Sequence, residues 1–105
     1  MTSTSTATQS FLADFTRLNA DEVTIKTTLD GSYVLEYFRE HRVLQRSEPH
    51  DKQVDAIGAD LESHINNTSV KPREVTGVVA IAGLSGTADV NREETGTVSY
   101  IRLTI

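Results

Sequence analysis

Residues 23–37 read VTIKTTLDGSYVLEY, and the way this stretch pairs with itself decides the fold class. Val23, Ile25 and Thr27 alternate with Thr24, Lys26 and Thr28, which is the period of a half-buried strand. Leu29, Asp30 and Gly31 suit a three-residue hairpin loop with glycine in the left-handed position. Such a loop sets Thr27 opposite Tyr33, Ile25 opposite Leu35 and Val23 opposite Tyr37, all on one face. Lys26 then meets Val34, and Thr24 meets Glu36, on the other face. A two-residue loop would put Ile25 against Glu36, and a slip of one residue turns every side chain over, so the pattern selects the longer loop.

One apolar face on a hairpin needs a cover, and two helical patterns supply it. Ser10 is positioned to cap a helix to about Asn19, with Phe11, Phe15 and Leu18 on one stripe and Leu12 beside it. Glu48 and Pro49 open a second helix, where the missing proline N–H costs nothing. Val54, Ile57, Leu61 and Ile65 form its stripe, with Ala56, Gly58 and Ala59 thinning it for close approach to a sheet. Asn66-Asn67 is its expected stop. Residues 74–82 read as a strand, 83–86 as a turn or bulge, 87–90 as a short strand and 91–96 as a charged turn. Residues 97–105 read as a final strand in which Ile101, Leu103 and Ile105 share a face. Residues 39–46 are ambiguous between a strand continued through a bulge and a helical turn, and strand is preferred. The sum is an α+β fold: a mainly antiparallel sheet of four to five strands with two helices packed on one face. Residues 1–9 read as a flexible Ser/Thr-rich arm, and 10–105 as a single domain.

Charge narrows the function classes. The 105-residue chain carries a net −5, against the positive surface that general nucleic-acid binding requires. The charge is uneven: −3 over residues 21–38, +2 over 39–46 and −4 over 47–66. A basic island of Arg39, His41, Arg42 and Arg46, next to Tyr37 and Phe38, thus sits between acidic segments. Strand alternation would put Arg39 and His41 on one face and Arg42 and Arg46 on the other. No apolar run approaches the ~20 residues that span a bilayer, and no basic start with an apolar centre suggests secretion. The expectation is a cytoplasmic or virion protein with no membrane and no nucleic acid among its partners.

The chemistry-bearing constellations fall short one at a time. There is no cysteine, so neither a disulfide nor a thiolate metal site can form. Asp60 and His64 stand i, i+4 on a helix and could supply half a metal site, but no third ligand is evident. No serine lies in a Gly-x-Ser-x-Gly elbow. Gly83-Leu84-Ser85-Gly86-Thr87 lacks the lysine of a phosphate loop and is followed by strand pattern. Asn66-Asn67-Thr68 and Asn67-Thr68-Ser69 match the glycan acceptor pattern without a secretory context. The expectation is no enzyme, no catalytic residue, no metal and no cofactor.

What remains points outward. The leading expectation is a non-enzymatic structural or interaction protein that self-associates or docks in a larger assembly. Small phage virion components of connector, tail or decoration type have this general character by analogy. Its candidate partner-binding residues are Arg39, His41, Arg42 and Arg46 in the basic island, with Ile101, Leu103 and Ile105 in the last strand. The expected partners are copies of itself or neighbouring subunits. One alternative is an acidic inhibitor or adaptor that binds a host protein through Asp51, Asp55, Asp60 and Glu62. Another is a ligand-binding or enzymatic domain with a pocket between helix and sheet near Tyr33, Tyr37 and His64.

Overall fold

The first helix begins earlier than its apolar stripe suggests. In a computed structural model, which describes residues 4–105, helix α1 spans Thr6–Arg17. Ser5, not Ser10, is the N-cap, and its Oγ accepts the Thr8 N–H at 3.2 Å. Residues 6–9, expected in a flexible arm, are therefore helical, and Thr8 is fully buried. Residues 1–3 of that arm lie outside the described residues. The apolar stripe failed to mark this turn because its one buried residue is a threonine.

Strands β1 (Glu22–Thr27) and β2 (Tyr33–Arg39) pair in the register the sequence predicts, from Val23 opposite Tyr37 to Thr27 opposite Tyr33. Gly31 takes the left-handed position at φ 86°, and the Thr28 N–H donates to the Ser32 carbonyl at 2.8 Å. Beyond Arg39 the chain doubles back. Glu40 and His41, at φ 50° and 67°, make a two-residue turn into β3 (Arg42–Ser47). The strand does not continue through a bulge as expected; a bulge lies instead in the β2–β3 pairing, with Leu44 the extra residue, because Phe38 faces Val43 while Tyr37 faces Gln45.

Helix α2 spans Asp51–His64 and starts where the His50 N–H donates to the Gln53 side chain at 2.9 Å. It runs into β4 (Ile65–Asn67), followed by β5 (Glu74–Ile81), β6 (Leu84–Arg92) and β7 (Val98–Thr104). The fold is α+β as expected, but the sheet has seven strands rather than four to five. Three misreadings account for the difference. Residues 42–47 form a separate strand, Asn66-Asn67 pairs with β5 instead of ending a helix in a loop, and β6 is nine residues long. The last follows from the turn falling on Ala82-Gly83, at φ 49° and 83°, so that Leu84 to Gly86 enter the strand. Gly86 is needed there, since a Cβ would sit 2.1 Å from the Thr104 carbonyl oxygen.

The strand order is β3-β2-β1-β7-β6-β5-β4, antiparallel throughout. The first three strands meander outward from the centre, α2 crosses to the far edge, and the last four meander back. Both helices cover one face. Phe11 and Phe15 of α1 pack on Tyr37, with ring centroids 6.2 and 6.4 Å away. Val54, Ile57 and Leu61 of α2 are buried over the later strands. The expected thinning of α2 holds at Gly58, where a Cβ would come within 3.0 Å of Val98 Cγ2. Val23, Ile25, Val90, Ile101 and Leu103 are all fully buried beneath this cover.

Candidate interaction face

Among the described residues no helix lies on the other face of the sheet, and the composition of that face follows from the pairings. Arg46 faces Glu36, Glu36 faces Thr24, Thr24 faces Arg102, Arg102 faces Asp89 and Asp89 faces Thr76. One row of side chains therefore crosses six strands in the order Arg46, Glu36, Thr24, Arg102, Asp89, Thr76. A neighbouring row holds Val43, Phe38, Glu22, Thr104, Thr87 and Val78. Val34, Lys26, Tyr100 and Asn91 make a third. The apolar members are unevenly covered: Val78 is 63% exposed and Val43 52%, whereas Val34 is only 9% exposed.

Polar contacts tie parts of this face together. Arg102 Nε lies 2.8 Å from Glu22 Oε2, across the β1–β7 pair. Thr76 donates its hydroxyl to Asp89. Burial, ahead of nearby charges, raises the Tyr100 phenol above its ordinary value. Thr24 at the middle of the central row is 4% exposed, and among the described residues its Oγ1 finds no hydrogen-bond partner. A buried hydroxyl without a partner costs roughly 1–3 kcal/mol, so it is an anomaly to be accounted for.

The basic island lies at one edge of the sheet. Arg39 and Arg42 face each other across the hairpin on the helix side, while Arg46 points to the open face. This corrects the expected grouping, because the hairpin turn resets the alternation at Glu40-His41. Arg39 donates to the Asn19 carbonyl at 2.9 Å, and among the described residues none of Arg39, Arg42 and Arg46 forms an ion pair. His41 is exposed in the turn. Charge and a bulge on an edge strand discourage further strand pairing, and at the opposite edge β4 is only three residues long.

The last strand is placed differently from expectation. β7 lies in the middle of the sheet between β1 and β6, so it presents no free edge. Ile101 and Leu103 are fully buried under the helices and cannot touch a partner; Ile105, at 53% exposed, can. Chain order placed this strand last, but only the strand order shows that it is central.

Other candidate sites are engaged in holding the fold. The Tyr33 and Tyr37 hydroxyls donate to the Val98 and Phe11 carbonyls at 2.6 and 2.9 Å and both rings are buried, while an open cleft of about 210 Å³ remains between the helices and the sheet, lined by Phe11, Leu35, Tyr37, Pro49 and Ile57. Asp60 Oδ2 accepts from the Ser5 N–H and Oγ–H, both at 2.9 Å, and from the Thr8 hydroxyl at 2.5 Å. Burial pushes the Asp60 carboxyl up, but these hydrogen bonds and the nearby His64 outweigh it and bring it below its ordinary value. His64 Nδ1 sits 2.8 Å from the Asp60 carbonyl oxygen. Glu62 holds Arg92 through two contacts of 2.5 and 3.0 Å. The expected acidic face is thereby reduced to Asp51 and Asp55, on the rim of an open cleft of about 350 Å³ beside Tyr33 and Arg92. Among the described residues no three potential metal ligands gather, and no helix is long and apolar enough to cross a membrane.

No known family model matches the chain, and no curated protein or solved structure matches it.

Proposed function

We propose that the protein is a non-enzymatic structural or interaction component that works through the uncovered face of its sheet. The observation that carries this reading is the make-up of that face: the exposed Val43 and Val78 lie beside a row of unlike charges, Arg46, Glu36, Arg102 and Asp89. An antiparallel sheet can face water on one side. Exposed apolar side chains beside charges ordered by sign suit a docked protein better than bulk water.

The test is the size of the protein at its natural abundance in extracts of the cells that make it. The expected result is elution well above the 11.5 kDa chain mass, lost when Glu36 and Arg102 are both replaced by alanine. Elution as a single chain at natural abundance would overturn the reading. The two alanine substitutions lie outside the core, and circular dichroism checks that the fold is kept.

A further inference from the structure

We infer that two copies of this chain stack open face to open face about a two-fold axis that lies midway between the two sheets, parallel to β1 and over Thr24. The inference rests on the proposed use of this face and names the partner. It starts from the order of the central row: Arg46, Glu36, Thr24, Arg102, Asp89. One strand from Thr24 stand Glu36 on one side and Arg102 on the other. Two strands away stand Arg46 and Asp89. A two-fold axis along β1 sends each position to the one equally far on the opposite side. Glu36 then faces Arg102 of the second copy, and Arg46 faces its Asp89. An isologous interface makes each contact twice, so four opposite-charge pairs form.

No other axis along the strands pairs all four charges with their opposites. Centred between Thr24 and Arg102, it sets Glu36 against Asp89. Centred between Glu36 and Thr24, it sets Arg46 against Arg102. Centred on Arg102 or on Glu36, it sets that residue against itself. Like charges in direct opposition are disfavoured, so the row selects its own centre.

Thr24 at that centre is covered by its own chain and adds no contact to a second copy, so the charges on either side of it set the register. Glu22 and Lys26 also fall near the axis: each copy holds Glu22 with its own Arg102 at 2.8 Å, whereas the exposed Lys26 faces the same residue of the second copy on a flexible stem, a like-charge contact that the four opposite-charge pairs must outweigh. Edge-to-edge pairing is the competing mode of self-association. It is disfavoured by the bulged, arginine-bearing β3 and by the three-residue β4.

The test uses two variants and their mixture, made from the full purified chain. Arg46→Glu sets a glutamate against Asp89 of the second copy, twice per dimer. Asp89→Lys sets a lysine against Arg46, also twice. In a mixed dimer of the two variants every such pair is again of opposite sign, while contacts within each chain are unchanged from those in the separate variants. Analytical ultracentrifugation of the unaltered chain is expected to show a species of twice the 11.5 kDa chain mass at micromolar concentration. Each variant alone is expected to dimerise at least about tenfold more weakly, which corresponds to about 1.4 kcal/mol. An equimolar mixture is expected to regain most of that loss. A chain that stays monomeric at about 100 μM, far above the micromolar range that 8 kcal/mol supports, would overturn the inference. So would a mixture no tighter than its components. A monomer of the purified chain that still elutes large in cell extracts would assign the face to a different protein, and the proposed function would survive without this inference.

Discussion

The two faces of this sheet are built from adjacent residues and obey different rules. Val23 and Ile25 point under the helices and are fully buried among other apolar side chains. Thr24, between them, points to the open face and is nearly as buried, but by charged and polar neighbours that leave its hydroxyl unmatched. The covered face is stabilised by apolar area removed from water, at roughly 25 cal/mol per Å². The open face gains little that way from within the chain. On the proposed function, its order of charges is the pattern that a second surface reads, and stability and recognition are separated by a single residue step along a strand.

The covered face should break hardest. Phe15 is 1% exposed and packs on Tyr37, so Phe15→Ala should cost about 3–5 kcal/mol by loss of contacts and an unfilled cavity. Against a total of roughly 5–15 kcal/mol for a domain, that is enough to bring the urea midpoint down sharply. Phe38 on the open face is half-buried, and Phe38→Ala should cost about 1 kcal/mol or less in the same measurement. Equal losses at the two positions would erase the distinction between the faces.

The next largest effect lies at the junction of the helices. Asp60 closes the start of α1 by accepting three hydrogen bonds from Ser5 and Thr8. Asp60→Ala should cost about 2–3 kcal/mol, since hydrogen bonds to a charged group are worth more than neutral ones. The folded carboxyl is held below its ordinary value of 3.8. Its contribution is therefore complete above about pH 4 and is lost as the pH falls through the depressed folded value. Urea midpoints of the unaltered chain and of Asp60→Asn should converge as the pH falls through that range. A gap that widened toward acid would mean that Asp60 is not held in its charged form.

The covered face was legible in the sequence and the open face was not, for one physical reason. Local alternation and turn chemistry gave the β1–β2 register, pair by pair. The 3.6-residue spacing gave the stripes of both helices, since Phe11, Phe15, Val54, Ile57 and Leu61 are all buried. Those signals depend on residues close in the chain. The row on the open face joins Arg46 to Asp89 through strands whose order no local pattern encodes. For the same reason Ile101 and Leu103 looked like an exposed strand end, when β7 is the central partner of β1. The edge strand β3 hid because it is exposed on both faces and so shows no alternation.

A smaller effect belongs to the turn that created that edge strand. Glu40 and His41 both adopt positive φ, which costs a residue with a side chain roughly 1–2 kcal/mol, less where local hydrogen bonds help. Here the Glu40 N–H donates to the Asp21 carboxylate at 2.9 Å, which offsets part of the strain. Asn-Gly favours this geometry in two-residue hairpins. Replacing Glu40-His41 by Asn-Gly should raise stability by about 1 kcal/mol and leave the open face untouched. Thermal unfolding measures it, and a loss of stability would show that the Glu40 or His41 side chain contributes contacts beyond the turn.

The smallest expected change is the most telling, because its sign differs between two buried threonines. The Thr8 hydroxyl on the helix side is bonded to Asp60, so Thr8→Val should destabilise by about 1 kcal/mol. Thr24 has no partner for its hydroxyl among the described residues, so Thr24→Val removes a cost and no hydrogen bond. Valine also suits a strand. At concentrations low enough to keep the chain monomeric, Thr24→Val should therefore stabilise it by a few tenths of a kcal/mol, up to about 1. The Thr24 Oγ1 is covered within the chain, out of reach of a docked copy, so the gain should be the same at every protein concentration. Unfolding curves at two protein concentrations check it. A loss of stability in Thr24→Val would mean that the hydroxyl finds a partner in solution, and the contrast between the two buried threonines would disappear.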